Sequence, residues 1–337
     1  MLGSPIGADR RLLAGSGLFW VVSLGLILLS VSYLSLVFGA ITLDPADAVR
    51  GLFVSDESFV RSIVWGIRFP RVLDAMVVGA SLGVAGALLQ GVTRNPLADP
   101  SILGLTAAAG LGSALIIVIN PQVSQWAITL SSVLGALGGG AILFFIAWRG
   151  VISPVRLALA GVAISAFFGA AIVGLLSSSR TFLQTNLGFL AGGLYGSEWR
   201  EFEAMIPYAL GGFAASLLLV GRLNVLALGD EVASSLGVLT TQTRAAIVAV
   251  AAVLTGATVS SAGLVGFVGL VSPHMARAAV GQDNRAVLPV AALVGATLVV
   301  MADLGARLVI RPSEIPMGII TAAIGAPFLL YIVKFRT

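Results

Sequence analysis

The sequence contains no cysteine, one histidine and one lysine among its 337 residues. The absence of cysteine excludes disulfide bonds and thiolate metal sites. A single histidine, His274, cannot build a multi-histidine metal site. The lysine, Lys334, lies near the C-terminus, so the chain has no Gly-rich loop ending in Gly-Lys-Ser/Thr to bind ATP. We therefore expect no cofactor and no metal in this chain, and no enzyme activity. If ATP drives its function, the ATPase must be another chain.

Charged residues are also scarce, at 10% of positions against 58% hydrophobic residues, and the mean hydropathy is +1.05. A soluble chain of this length would need far more charge on its surface. Apolar stretches long enough to cross roughly 30 Å of hydrocarbon recur along the sequence. They do not alternate polar and apolar residues as barrel strands do. The sequence therefore predicts an all-α, polytopic membrane protein whose residues 1–337 form a single transmembrane domain.

About ten transmembrane helices are predicted from these stretches. Their even number places both termini on one side, and the basic residues Arg10, Arg11, Lys334 and Arg336 make that side the cytoplasm. The localisation predicted is thus the cytoplasmic (inner) membrane. The 266–276 element is short and is expected to be a half-helix inside the bundle. The predicted spans are 17–38, 72–92, 103–119, 124–147, 157–176, 204–221, 243–260, 266–276, 288–306 and 316–333.

Two parts of the chain show a weak inverted repeat. Residues 72–119 and 243–306 each contain a glycine-rich span, a polar break with proline and another span. With the spans above, the two units begin on opposite sides of the membrane, which is a common transporter design. Glycines such as Gly79, Gly83 and Gly86 favour close packing of helices.

Four of the eight arginines on the predicted outer side lie close to the ends of two spans. Arg68 and Arg71 precede the second span, and Arg307 and Arg311 follow another. They could anchor the chain among lipid headgroups. Alternatively, four exposed guanidinium groups could receive carboxylates from a docking protein. Asp303 lies four residues before Arg307, and we expect the two to form an ion pair along one helix.

Polar breaks on the predicted cytoplasmic side indicate fixed turns. Asparagine or aspartate followed by proline marks a rigid turn. The single histidine is expected to be a structural hydrogen-bonding group rather than a ligand or a proton relay. The residues assigned to hinge or structural positions are Asn95, Pro96, Asp99, Pro100, Pro273, His274 and Asp303.

The longest polar stretch on the same side is 229–238. Acidic residues after Gly229 suit a helix N-terminus, Gly237 suits the residue that ends a helix, and Val232 and Leu236 form one apolar edge. The stretch predicts a short amphipathic helix outside the membrane, either at the interface or inserted into a groove of a partner. Its residues are Gly229, Asp230, Glu231, Val232, Ala233, Ser234, Ser235, Leu236, Gly237 and Val238.

Taken in order, these segments resemble the FecCD family, the membrane permease subunits of bacterial ABC importers for ferric siderophores, haem and cobalamin. The resemblance runs from about residue 60 to the C-terminus. The matching segments are Arg68–Arg71, Gly79–Leu82 with Gly86, Asn95–Pro100, Leu103-Gly104, Leu190–Gly193, Leu228-Gly229 with Leu236–Val238, Gly266–His274, Ala302-Asp303 with Arg307, Pro316–Gly318 and Gly325–Pro327.

The resemblance implies a subunit of ten transmembrane helices that pairs with a second permease, identical or paralogous. It also implies two cytoplasmic ABC ATPases and an extracytoplasmic substrate-binding protein, and no nucleic acid. Arg68, Arg71 and Arg307 are the positions that accept carboxylates of the binding protein in the family, and Arg311 is our addition to them. The 229–238 helix corresponds to the coupling helix that contacts the ATPase.

Two other classes of function remain as alternatives. An ion-coupled secondary transporter would need carboxylates along the membrane path, and only Asp74 and Asp303 approach that role. An intramembrane enzyme would need a catalytic constellation inside the spans, and the sequence shows none. We expect a ferric siderophore as substrate, with haem and cobalamin as the alternatives in the family.

Overall fold

The computed structural model describes residues 6–54, 58–147, 154–177 and 188–336, and this part of the chain contains helices and no β-strand. A π-helical turn, Val64–Arg68, joins the helices Phe59–Ile63 and Phe69–Thr93. The helices are α1 Ile6–Val37, α2 Pro45–Phe53, α3 Phe59–Ile63, α4 Phe69–Thr93, α5 Leu105–Ile119, α6 Gln125–Ala147, α7 Pro154–Ser177, α8 Trp199–Ala227, α9 Asp230–Ser235, α10 Thr240–Ala262, α11 Val268–Val280, α12 Asn284–Leu308 and α13 Met317–Arg336.

Each predicted span corresponds to one of these helices, and the prediction of an all-α polytopic protein is confirmed. Within the described ranges, seven helical segments are long and apolar enough to cross a membrane by length and composition. Two shorter apolar helices, Leu105–Ile119 and Met317–Ile332, accompany them. The short predicted element is α11, and its residues from Val268 to Pro273 are buried. The side chains of Arg10, Arg11 and Arg336 lie outside the described part, and the orientation remains a prediction.

Helix α4 lies at the centre of the bundle, and most of its side chains are buried. Glycine allows its backbone to touch the neighbouring helices directly. A Cβ atom on Gly79 would lie 2.2 Å from the carbonyl oxygen of Gly295 in α12, and one on Gly86 would lie 1.8 Å from that of Gly269 in α11. Such contacts explain why small residues occupy this face of the helix.

The two ends of α4 are about 37 Å apart, at 1.5 Å per residue over 25 residues. Arg71 lies in its first turn, and Arg94 ends it in the left-handed conformation with φ 51°. Two of the predicted docking arginines, Arg68 and Arg71, lie at the start of this helix, and Arg94 at its end contacts Asp230 of the predicted coupling helix.

Candidate functional sites at the two ends of the bundle

A buried ionic cluster occupies the end of the bundle where α4 begins. Arg71 donates to Asp303 from Nε at 3.0 Å and from Nη2 at 2.8 Å, and Nη2 also donates to Glu314 at 2.8 Å. Arg307 lies 3.1 Å from the other oxygen of Asp303, which confirms the predicted pair. Two arginines and two acids thus balance their charges, as buried ionic groups require.

The same end of the bundle holds the C-terminus of α1. Arg68 donates to two carbonyl oxygens there, including that of Val37 at 2.8 Å, and to the carbonyl oxygen of Ile41 just after the helix. Arg307 donates to the carbonyl oxygen of Ser35 at 3.3 Å and to the Ser35 hydroxyl. The last carbonyls of a helix lack partners within the helix and carry partial negative charge. These two arginines therefore fasten α1 to the rest of the bundle.

The expectation that the four predicted docking arginines are exposed is wrong for three of them. Arg68, Arg71 and Arg307 are only 5%, 8% and 4% exposed, because each is surrounded by acceptors from its own chain. Arg311 is exposed. Their role in docking a partner protein is a separate matter and remains a prediction.

Asp74, further along α4, is fully buried. Its carboxylate accepts a hydrogen bond from the Ser197 hydroxyl at 2.6 Å and another from Ser261. Ser197 precedes α8, and Ser261 lies in the last turn of α10. Asp74 therefore links three helical elements, and Asp303 is paired with two arginines. Of the two acids that an ion-coupled mechanism would require, Asp303 is therefore bound through both oxygens and Asp74 through one. The buried Oδ1 atom of Asp74 has no hydrogen-bond partner among the described residues.

The predicted hinge between α4 and α5 is a pair of compact turns. The side chain of Asn95 accepts a hydrogen bond from the Leu97 amide at 2.9 Å, and that of Asp99 accepts one from the Ser101 amide at 2.8 Å. Both are turns closed by a side chain two residues before the donor. Pro96 and Pro100 follow these two residues directly and restrict the backbone further. The segment is therefore a stiff connection.

Two contacts place this connection and α11 together. Asp99 is 2% exposed, and a Cβ atom on Gly269 would lie 2.9 Å from its Oδ2 atom, so its carboxylate faces the start of α11. Pro273 lies inside α11, and the ring of His274 packs edge-on against Phe328 of α13 with 5.3 Å between ring centroids. Asp99 and His274 therefore pack against neighbouring elements, and their assignment to hinge or structural positions remains a prediction.

The predicted coupling helix is present as α9. Gly229 precedes it with φ 121°, and Asp230 and Glu231 form its first turn. At its end Gly237 has φ 78° and donates to Ser234, while Val238 donates back to Ala233 at 3.0 Å. This is the Schellman arrangement that commonly ends a helix at glycine. The predicted beginning and end of the helix are confirmed.

Asp230 fastens this helix to the bundle. Arg244 of α10 donates to both of its carboxylate oxygens, at 2.8 and 2.7 Å, and Arg94 donates to one of them. Arg94 also donates to the carbonyl oxygen of Leu226, in the last turn of α8, at 2.6 Å. The hydrogen bonds from Arg244 hold the pKa of Asp230 below its ordinary value. Through this one carboxylate, α9 is tied to α4 and α10.

The sequence did not identify Arg94 and Arg244 as partners of Asp230. Arg94 lies 136 residues before it, and no local pattern connects the two. Arg244 is only 14 residues away, but it lies on another helix. An acidic residue in the first turn of a helix already interacts favourably with the partial positive charge of the helix N-terminus. Its presence there therefore gives no signal that it also pairs with an arginine.

The side of α9 that faces away from the bundle is apolar and exposed. Val232 is 43% exposed and Leu236 is 63% exposed, whereas Ala233 is fully buried against the bundle. Leu228 and Leu239, on either side of the helix, are 65% and 64% exposed. A helix of six residues is too short to cross a membrane. Exposed apolar residues clustered on such a helix indicate a surface for a partner or for the membrane interface.

Comparison with known proteins gives matches over most of the chain. The model of the FecCD transport family matches residues 26–335. The chain is 41% identical to the Fe(3+)-citrate import system permease protein YfmD of Bacillus subtilis, over 89% of this chain and 90% of that protein. It is 42% identical to the cobalamin import system permease protein BtuC of Halobacterium salinarum, over 81% of this chain and 74% of that protein. A solved structure described as an inward-facing metal-chelate type ABC transporter aligns with a TM-score of 0.80 and 30% identity, over 93% of this chain and 98% of that one.

Proposed function

Because this chain belongs to the FecCD transport family, we propose that it is the permease of a binding-protein-dependent ABC importer that moves a ferric siderophore across the cytoplasmic membrane. The observation that carries this proposal is α9, a short helix with an exposed apolar edge that Asp230 ties to α4 and α10. Such a helix suits a chain that receives force from a partner and has no ATP site of its own.

The assembly follows from the same proposal. A second permease subunit, identical or paralogous, completes the path, and two ATPase subunits bind on the cytoplasmic side through α9. A binding protein docks on the outer side, where the Arg71–Asp303 cluster lies. Both termini are then cytoplasmic.

The mechanism is alternating access. ATP binding brings the two ATPases together and moves α9. The ion pairs of Asp230 pass this motion to α4 through Arg94 and to α10 through Arg244. Because α4 packs backbone to backbone against α11 and α12, its movement carries those helices with it. The helices then rock around the path, and hydrolysis of ATP resets them.

Docking of the binding protein would involve an exchange of carboxylates. The Arg71 side chain is 9% exposed and that of its partner Glu314 is 19% exposed, whereas that of Asp303 is 1% exposed. Glu314 is therefore the acid that a carboxylate of an incoming protein can replace. Arg311, which is exposed and lies three residues before Glu314, provides a second contact for the same partner.

Haem and cobalamin are the alternative substrates within the family, and an ion-coupled transporter is the alternative from another class. The Fe(3+)-citrate import permease named above supports an iron chelate, while the cobalamin import permease supports the alternative. Uptake by proteoliposomes that contain the complete transporter separates these substrates. Ferric citrate, a ferric hydroxamate, haem and cyanocobalamin are supplied in turn, each with its binding protein.

The same proteoliposomes test the class of transporter. We expect uptake to require ATP in the compartment that holds the ATPase, together with the ATPase and the binding protein. A proton or sodium gradient without ATP is the matched control. Uptake driven by the gradient alone would contradict the importer proposal.

A further inference from the structure

A groove of about 400 Å³ opens beside α9, at the same end of the bundle. It lies between the end of α4, the second half of α11 and the start of α12. Among the lining residues that the structure describes there is no acid, whereas two arginines and several amide side chains are present. The lining residues are Gln90, Gly91, Arg94, Asn95, Pro96, Ala227, His274, Arg277, Ala278, Gln282 and Asn284.

Three buried polar atoms of the lining residues have no hydrogen-bond partner among the described residues. They are Nη2 of Arg277, Oε1 of Gln90 and Oδ1 of Asn284. Gln90 and Asn284 are only 4% and 2% exposed. The Gln90 amide nitrogen donates to the Leu270 carbonyl, and that of Asn284 donates to Asn224, so both amides are held with the oxygen unpaired. Buried polar groups are normally paired, and unpaired ones require an explanation.

The net charge of the groove is positive. The charge of Arg94 is met by Asp230, whereas no carboxylate in the described ranges lies within ion-pair distance of Arg277. A ligand that satisfies the groove must therefore carry negative charge for Arg277. It must also carry hydrogen-bond donors for the two amide oxygens.

We propose that this groove binds the headgroup of an anionic phospholipid that carries hydroxyl groups, of the phosphatidylglycerol type. Its phosphate accepts from Arg277, and its hydroxyl groups donate to Gln90 and Asn284. The position at the ends of membrane-spanning helices is the depth at which headgroups lie. An acidic side chain of an ATPase would pair with Arg277 but would leave both amide oxygens without donors. The inference rests on the proposed cytoplasmic position of this end of the chain.

The test is native mass spectrometry of the full-length purified chain titrated with phosphatidylglycerol and, separately, with phosphatidylethanolamine. The variant Arg277→Gln removes the positive charge, and Gln90→Glu adds a negative charge to the groove, which repels an anionic ligand, with little change in side-chain size. Arg285→Gln is the matched control, because Arg285 is exposed near the same end of the bundle and does not line the groove. Melting temperatures establish that each variant is folded.

We expect one phosphatidylglycerol to bind preferentially, and either groove variant to weaken it about tenfold while Arg285→Gln does not. Equal binding of the two lipids, or unchanged binding in both groove variants, would overturn the proposal. So would binding of soluble glycerol 3-phosphate with equal affinity, which would assign the groove to a free phosphoester. If Arg277→Gln weakens ATPase association but not lipid binding, the groove belongs to the ATPase. ATP-driven uptake is measured separately, so a failure here leaves the importer proposal intact.

Discussion

Arg244 donates to both carboxylate oxygens of Asp230, at 2.8 and 2.7 Å, from a different helix. Arg94 reaches the same carboxylate from the end of α4. The arrangement makes a single acid the junction between a surface helix and two helices of the bundle. If α9 receives the motion of an ATPase, this junction passes it on.

Asp230→Asn should uncouple the transporter. The neutral amide cannot hold two guanidinium groups, so α9 loses its charged tie to α4 and α10. In proteoliposomes we expect uptake per ATP hydrolysed to fall about tenfold, while ATP hydrolysis continues. Glu203→Gln, at an exposed acid near the opposite end of α8, is the control and should behave as the native chain does. Normal uptake by Asp230→Asn would show that the ion pairs of Asp230 do not transmit the movement of α9 to the bundle.

The Asp230 tie should not titrate in the physiological range. Arg244 holds the pKa of Asp230 in the folded chain below its ordinary value. The stabilisation is therefore fully present above the ordinary pKa and is lost only as the pH falls through the lower pKa of the folded chain. The difference in melting temperature between the native chain and Asp230→Asn should be constant from about pH 5 to 8 and shrink below about pH 4. A difference that disappears between pH 6 and 7 would assign the tie to another group.

Arg71→Gln should lower the stability of the chain, whereas Arg311→Gln should weaken docking of the binding protein. Arg71 is buried on Asp303 and Glu314, so its loss should destabilise the chain by on the order of 3 kcal/mol in denaturant titrations. Arg311 is exposed, and its replacement should leave stability unchanged but weaken binding of an acidic binding protein severalfold. Equal stability of the two variants would mean that the Arg71–Asp303 cluster does not hold the fold.

Gly86→Ala should disturb the centre of the bundle. A methyl group there would lie 1.8 Å from the carbonyl oxygen of Gly269, so α4 and α11 would have to separate. We expect a loss of roughly 2 kcal/mol or more, measured by denaturation in detergent. Gly211→Ala is the matched control, because no neighbouring group in the described ranges lies within 4 Å of the added atom. A native melting curve for Gly86→Ala would contradict this packing.

The helices could be predicted from the sequence because length and hydropathy alone decide whether a segment spans a bilayer. The ends of α9 were also predictable, because Gly229 and Gly237 act through local backbone conformation. Helix α2 went unpredicted, although the side chain of Asp44 accepts from the Ala46 amide and Pro45 opens the helix, a recognisable start signal.

The surroundings of the arginines could not be predicted in the same way. Arg71 meets Asp303 across 232 residues of sequence, and Arg68 is held by the end of α1, 31 residues earlier. Such contacts depend on how the helices pack, which local spacing does not encode. An arginine beside a span therefore looks the same in the sequence whether it is exposed or buried.

Leu236→Asp tests whether a separate ATPase drives this chain through α9. Leu236 is 63% exposed on the apolar edge, so a charge there should disrupt the partner contact without disturbing the fold. The measurement is ATP-dependent uptake of a ferric siderophore by proteoliposomes, with Leu236→Met as the control. We expect Leu236→Asp to abolish uptake and ATPase association at an unchanged melting temperature, while Leu236→Met retains both. Full ATP-driven uptake by Leu236→Asp would contradict a drive through α9.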